Sequence, residues 1–360
     1  GWLGVRLWRL LLPTLLLLGV AAAGLGGARL VGLDDGLVTA AAVLVGLTLW
    51  FLAVYLVVVS LTPLLVPAVE RQGVLVPTAL LTGCVLVDLL ANHLRVSVVG
   101  PLTIPLFWIG MFSCGVAWRC GALRPRWLPV ALIVVGATAL VLLTVVGPYP
   151  VNMVAAPGER IQNNGPPSSA LLALALTQLG VMLAAHDRVA RWCQRPRAAK
   201  AVQAITGSVM SLYLWHMPAA IVAALVFWQT GLVAAADPLT PTWWWQRPLW
   251  GLTCAAVLLG IVLLVRPVER HRARPRPMPT TWPRLLLVAL GVGLATATLV
   301  PFARGAATIG QVTLPSAWLP TIAFLGCAGG MLAVGIATGV AGVQRRRRLE
   351  GQSALPPSLT

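Results

Sequence analysis

The sequence is poor in charge and poorest in acids: only 9 of its 360 residues are Asp or Glu, and 10% are charged. A water-soluble domain carries about 25% charged residues, so a soluble globular protein is excluded at the outset. Histidine is scarce as well, with four at positions 93, 186, 216 and 271, and no HExxH or other paired arrangement among them. Six cysteines, at 84, 114, 120, 193, 254 and 327, include no CxxC pair. A metal site and a disulfide framework therefore have no support. Also missing are a serine elbow, a glycine-rich phosphate loop and a pair of intramembrane carboxylates.

What is present is hydrophobic length. Apolar residues make up 58% of the chain, and its mean hydropathy is +0.88. Stretches able to cross roughly 30 Å of hydrocarbon run at about 10–32, 38–60, 74–91, 101–117, 128–146, 168–186, 203–226, 248–265, 285–303 and 318–340. The fold class expected is all-α, a polytopic transmembrane helical bundle of about ten spans. The 28 prolines and 35 glycines lie largely among or beside these runs, where membrane helices tolerate them.

The formal charge of +17 sits in short loops. With a cytoplasmic N-terminus, alternation leaves only Arg29, Arg95, Arg160, Arg247 and Arg304 outside, of 26 basic residues. This asymmetry follows the positive-inside rule and places both termini in the cytoplasm. The runs at 269–277 and at Arg345–Arg348 are then topology anchors touching anionic lipid, and nucleic acid is not expected as a partner. The chain opens on "GWLGVRLWRLLLP" without a signal-peptide pattern, which reads as a processed or truncated start.

The organisation expected is a transmembrane core at 1–266, a basic Pro-rich cytoplasmic linker at 267–283, a further two-helix segment at 284–343 and a cytoplasmic tail at 344–360. The terminal pair is rich in small residues and reads as scaffold, packing within the chain or between chains. Two outer loops stand out. Residues 147–167 mix Tyr149, Asn152, Asn163, Asn164 and the adjacent Glu159 and Arg160 among prolines; residues 229–247 end in three tryptophans at 243–245, an interfacial belt or a stacking surface.

A few polar side chains lie where hydrocarbon alone would not put them. Asp88, Asn92, His93 and Arg95 share the end of the third span, either pairing with one another and snorkelling or walling an outward pocket. The second span carries Thr48, Trp50, Tyr55, Ser60 and Thr62, whose hydroxyls can satisfy backbone freed by Pro63. In the seventh, "SLYLWHMP" puts Ser211, Tyr213, Trp215 and His216 before Pro218. His216 is either an interhelical hydrogen-bonder or part of a polar cavity. At the cytoplasmic entrance Arg6 and Arg9, three apart, either cap a span or clamp donor phosphates with planar guanidinium forks.

The segments "RLWRLLLP", "LWFLAVYLVVVSLTPLL", "YPVNMVAAPGERIQNNGPPSSALLALALTQLGVML" and "SLYLWHMP", in that order, resemble the bacterial membrane-bound acyltransferases of acyltransferase family 3. The resemblance runs over roughly residues 1–270. It implies transfer of an acyl group, usually acetyl, from acyl-CoA as co-substrate, with no tightly bound cofactor, to a hydroxyl of a cell-surface or lipid-linked glycan at the plasma membrane. It assigns Arg6 and Arg9 to the donor. Trp50, Tyr55, Asp88, Tyr149, Asn152, Asn163, Asn164, Tyr213 and His216 are the candidates for lining the cavity or meeting the acceptor. It also implies a catalytic histidine on a helix preceding the Arg6 and Arg9 entry, so that His216 has a supporting role and the chain is a fragment or a degenerate member. The two spans after "RPVER" go beyond the usual family core. The competing readings are a transporter or flippase-like carrier, which would share the bundle, His216 and Asp88, and a catalytically inactive membrane partner. Oligomeric state stays open.

Overall fold

The computed structural model of the chain describes residues 2–154, 160–231, 236–237, 239–269, 281–303, 307–309, 312–314 and 318–338. Eleven α-helices occupy them: α1 (Trp2–Leu30), α2 (Asp35–Leu47), α3 (Leu49–Gln72), α4 (Leu75–Asn92), α5 (Thr103–Arg119), α6 (Leu128–Val141), α7 (Ser169–Cys193), α8 (Pro196–Thr230), α9 (Pro241–Glu269), α10 (Trp282–Ala303) and α11 (Leu319–Thr338). They make ten spans long and apolar enough to cross a membrane, since α2 and α3 count as one from Asp35 to Gln72. The protein is an all-α, multi-pass membrane protein.

Number and order of the spans match the hydrophobic runs, but several helices are longer. The second span continues through Pro63 and Pro67 to Gln72, and the seventh starts at Pro196 rather than near 203. A hydropathy window registers only the hydrocarbon-length part of a helix, whereas backbone hydrogen bonding continues into polar flanks such as Glu70-Arg71-Gln72. One small element is not helical: Ala307–Ile309 pairs antiparallel with Val312–Leu314, Thr308 opposite Thr313. Most of the basic linker, 270–280, and the whole tail at 344–360, with Arg345–Arg348, lie outside the described residues, as does Glu159.

Two compact units emerge, Gly1–Ser60 with Ala204–Thr360, and Leu61–Gln203. In the first, Leu7, Leu11, Leu17 and Leu18 of α1 are packed with Leu49, Leu52 and Leu56 of α3, Leu214 and Trp215 of α8, Leu299 of α10 and Val334 of α11. Small residues set how close these helices come. Gly326 lies against the Thr298 side chain, and a Cβ on Gly291 or on Gly330 would meet the other's carbonyl oxygen. Likewise Gly4 abuts Thr338, so α11 packs on α1 as well as on α10. The small-residue faces of the terminal pair are thus used within the chain.

Inside this unit the second span is interrupted at Thr48, between α2 and α3. Irregular backbone at membrane depth needs partners for its polar groups, and it finds them. The Thr48 amide donates to the Gly46 carbonyl, its hydroxyl to the Val45 carbonyl at 3.2 Å, and its own carbonyl accepts the Tyr213 hydroxyl at 2.7 Å. Ser60 donates to the Leu56 carbonyl at 2.7 Å, one turn back, and not to the Val59 carbonyl that Pro63 leaves free.

In the second unit α4 packs on α5 through Gly110 against Leu81, around buried Cys84 and Phe107. Helices α6 and α7 meet where Gly136 faces Thr177 and Gly180 faces the Pro129 carbonyl. The segment joining α6 to α7 has a core of its own, Tyr149, Ile161 and Ala170, with Leu140, Leu143 and Met153 against it.

Candidate functional site

The second unit is organised around one buried carboxylate. Asp88 lies on the last turn of α4 with 2% of its surface exposed. Its Oδ1 accepts from Asn92 Nδ2 at 2.7 Å, one turn on. Its Oδ2 accepts the Tyr149 hydroxyl at 2.7 Å, the Ser169 hydroxyl at 2.6 Å and the Ser169 amide at 2.8 Å. Four donors and no competing acceptor suit an ionised carboxylate, which only accepts. Ser169 opens α7, where orphan amides favour negative charge. Burial, then the Asp88 hydrogen bond and charge, push the Tyr149 phenol above its ordinary pKa. Neither His93 nor Arg95 forms an ion pair with Asp88, so the expected pairing within this group is confined to Asp88 and Asn92.

Asn163 closes the loop. It is 1% exposed; its Nδ2 donates to the Pro150 and Asn152 carbonyls at 2.7 and 3.1 Å, and its Oδ1 accepts from Ser168 Oγ at 2.6 Å. Ser168 also caps α7, accepting from the Leu171 amide at 3.2 Å. Asp88, Tyr149 and Asn163 are therefore struts beneath the loop. Asn152 is exposed and Asn164 half-buried on it.

In the first unit Tyr213 and His216 come together with the Thr48 break and the aromatic face of α3. Phe51 stacks with Tyr55 at 5.9 Å and meets Tyr213 edge-on at 5.3 Å, and Trp50 lies edge-on to Phe51 at 6.0 Å. His216 Nδ1 is 2.6 Å from the Tyr213 carbonyl. Since a carbonyl only accepts, the bond puts the proton on Nδ1 and, in the neutral ring, leaves Nε2 as an acceptor. The imidazole is half-buried. That is a fixed hydrogen-bond acceptor beside the Tyr213 ring, 5.7 Å away.

The sequence reading missed Glu269. At the end of α9, its carboxylate accepts from the Ser211 hydroxyl and from Trp215 Nε1, the latter at 3.4 Å. The run "ERHRARPRP" looked uniformly like a topology anchor; the available signal was that its only acid follows a span directly, near a Ser and a Trp spaced i, i+4 on another. Arg6 and Arg9 lie exposed on α1, turned away from the buried Leu7 and Leu11, with the Arg6 guanidinium 5.7 Å from the Trp2 ring. Among the described residues neither guanidinium has a carboxylate partner. Among the described residues no three His, Cys, Asp or Glu side chains gather as a metal site, and all six cysteines are free thiols.

Ten spans, with hydrogen-bonded polar clusters in each of the two units, define a multi-pass membrane protein. Residues 1–266 match the family profile of the acyltransferase domain of acyltransferase family 3, and the chain belongs to that family. No curated protein and no solved structure gives a match.

Proposed function

We propose that the protein transfers an acyl group, most simply acetyl, from acyl-CoA to a hydroxyl of a cell-surface or lipid-linked glycan at the plasma membrane, with both termini cytoplasmic. Family membership supplies the reaction class, and the observation that carries the substrate reading is His216, whose ring lies 5.7 Å from that of Tyr213 and whose Nδ1 is spent on the Tyr213 carbonyl, so that Nε2 is the acceptor of the neutral ring. In this reading Nε2 accepts the hydrogen of an acceptor hydroxyl and the aromatic rings stack on the sugar face. Arg6 and Arg9 hold the CoA phosphates, bidentate where geometry allows. Within the second unit Asp88, Tyr149 and Asn163 fix the loop at 147–168 that carries Asn152 and Asn164.

The hydroxyl oxygen attacks the thioester carbonyl, the C–S bond breaks, and the hydroxyl proton leaves through a general base to the CoA thiolate. In this reading His216 positions the hydroxyl and is not itself that base. Developing charge on the carbonyl oxygen needs preorganised donors.

The test uses the protein as its host makes it, in sealed vesicles supplied with radiolabelled acetyl-CoA on the cytoplasmic face. Covalent label on a glycan supports the proposal. Movement of glycan without label would identify a carrier, and neither event an inactive partner; both overturn it. Replacing Arg6 and Arg9 by Gln is expected to raise the donor KM at least about tenfold, each charge-assisted bond being worth about 1.5–3 kcal/mol. Lys at both positions restores only part, since it lacks the fork. An unchanged donor KM returns the pair to membrane anchoring.

A further inference from the structure

The positive-inside tally explains the many basic residues on one side, not the few left on the other. Of the five, Arg95 and Arg160 come to one corner of the second unit. Arg160 Nη1 reaches the Asn92 carbonyl at 3.4 Å, and Arg95 follows Asn92 by three residues, past the end of α4. Exposed His93 lies between them in the chain, its ring 6.3 Å from that of buried Tyr149. Arg95 holds a left-handed backbone at φ 60°, a conformation that a residue with a Cβ adopts at a cost and that surroundings must impose. Neither arginine has a carboxylate partner among the described residues. The one acid beneath them, Asp88, has both oxygens occupied by Asn92, Tyr149 and Ser169, so it bonds neither arginine.

We infer that His93, Arg95 and Arg160 form an oxyanion subsite for the acceptor: the glycan bound at this corner carries a carboxylate or a phosphate. Three exposed donors, two of them permanently cationic, gather about the end of α4, which the Asp88 hydrogen bonds tie to Tyr149 and Ser169. Charge-assisted bonds from such a corner favour an anionic sugar over a neutral one. The inference rests on the reading of the protein as a glycan acyltransferase, and its test does not depend on turnover.

The protein in phosphatidylcholine nanodiscs is titrated with tetragalacturonate and with the methyl ester of the same oligosaccharide, which has the same backbone and no charge. The acid is expected to bind at least about tenfold more tightly, and the difference to shrink as salt screens exposed charges. R95Q should lose much of that preference and R95Q/R160Q nearly all of it. Arg95 has no side-chain partner among the described residues, so the single variant keeps the test valid if the double variant elutes as misfolded protein. R95K/R160K should keep part of the preference. Equal binding of acid and ester, or a preference that survives R95Q/R160Q, overturns the subsite. So does retention of phosphatidylglycerol in mixed nanodiscs, lost in R95Q/R160Q, without any preference for the acid, because the partner is then a lipid headgroup. Acyl transfer without an oxyanion preference sinks this inference alone, and a preference without acyl transfer sinks the enzymatic reading alone.

Discussion

Tyr149 donates its phenol hydrogen to Asp88 Oδ2 at 2.7 Å across 61 positions of sequence. With Ser169 on the same oxygen, this bond ties the segment between α6 and α7 to the end of α4. Asp88→Asn places an NH₂ donor where every neighbour also donates or leaves an oxygen short. The expected loss is at least about 2–3 kcal/mol, against about 1 kcal/mol for Tyr149→Phe, which removes one hydrogen bond and keeps the ring. Thermal unfolding in detergent and limited proteolysis of the loop at 147–168 check the order; equal losses would show that the ring packing, not the carboxylate, holds the loop.

Alkaline pH acts on the same bond. The folded phenol titrates above its unfolded value of about 10, so the folded state keeps a proton that the unfolded chain has released. The stabilising contribution is complete below about pH 10 and is lost as pH rises toward the folded value. Tyr149→Phe is expected to flatten that part of the stability-against-pH curve. A slope above pH 10 identical in both proteins would assign it to other groups.

The two ring nitrogens of His216 make separable claims. Asn at 216 can imitate Nδ1 and keep the Tyr213 carbonyl bond, while Gln can imitate Nε2. For an acceptor-positioning role, His216→Gln retains kcat within about tenfold and His216→Asn raises the acceptor KM. His216→Leu, which leaves neither nitrogen, does worst. A general base contributes about 10²- to 10⁴-fold, so loss of that size in both Gln and Asn variants would make His216 the base. If all three change only the stability of the protein and not its kinetics, the histidine merely holds the helix.

Two glycines of the terminal helices should respond oppositely. A Cβ at Gly330 meets the Gly291 carbonyl, whereas Gly293 has nothing within 4 Å of that position. Gly330→Ala is expected to cost about 1–3 kcal/mol by overpacking. Gly293→Ala is expected to gain up to about 0.5–1 kcal/mol from helix propensity. Unfolding of the two variants in the same detergent decides it; a tolerated Gly330→Ala would mean that α10 and α11 are not held at this spacing.

Cysteine labelling checks the orientation. With the other native cysteines replaced, Ala155→Cys and Thr240→Cys should label in intact cells, and Cys193 or Arg272→Cys only once the membrane is opened. Labelling of position 193 in intact cells reverses the assignment of sides.

The sequence by itself determined the class and the spans. Hydrocarbon thickness fixes how long an apolar run must be, and ten runs of that length survive any detail of packing. The polar residues at odds with this pattern were visible for the same reason, since Asp88 and His216 interrupt apolar context. Apart from Asn92, one turn from Asp88, their partners were not. Which distant donors reach Asp88, which nitrogen of His216 is bonded, and that Glu269 meets Ser211 and Trp215 depend on contacts between residues 54 to 81 positions apart, or on one ring's rotamer. No periodicity encodes such contacts. Tertiary structure also decided that Tyr149 and Asn163 lie beneath the loop and not on its surface. A polar loop looks solvent-facing until the buried carboxylate below it, needing donors in a poorly solvated place, draws those side chains inward.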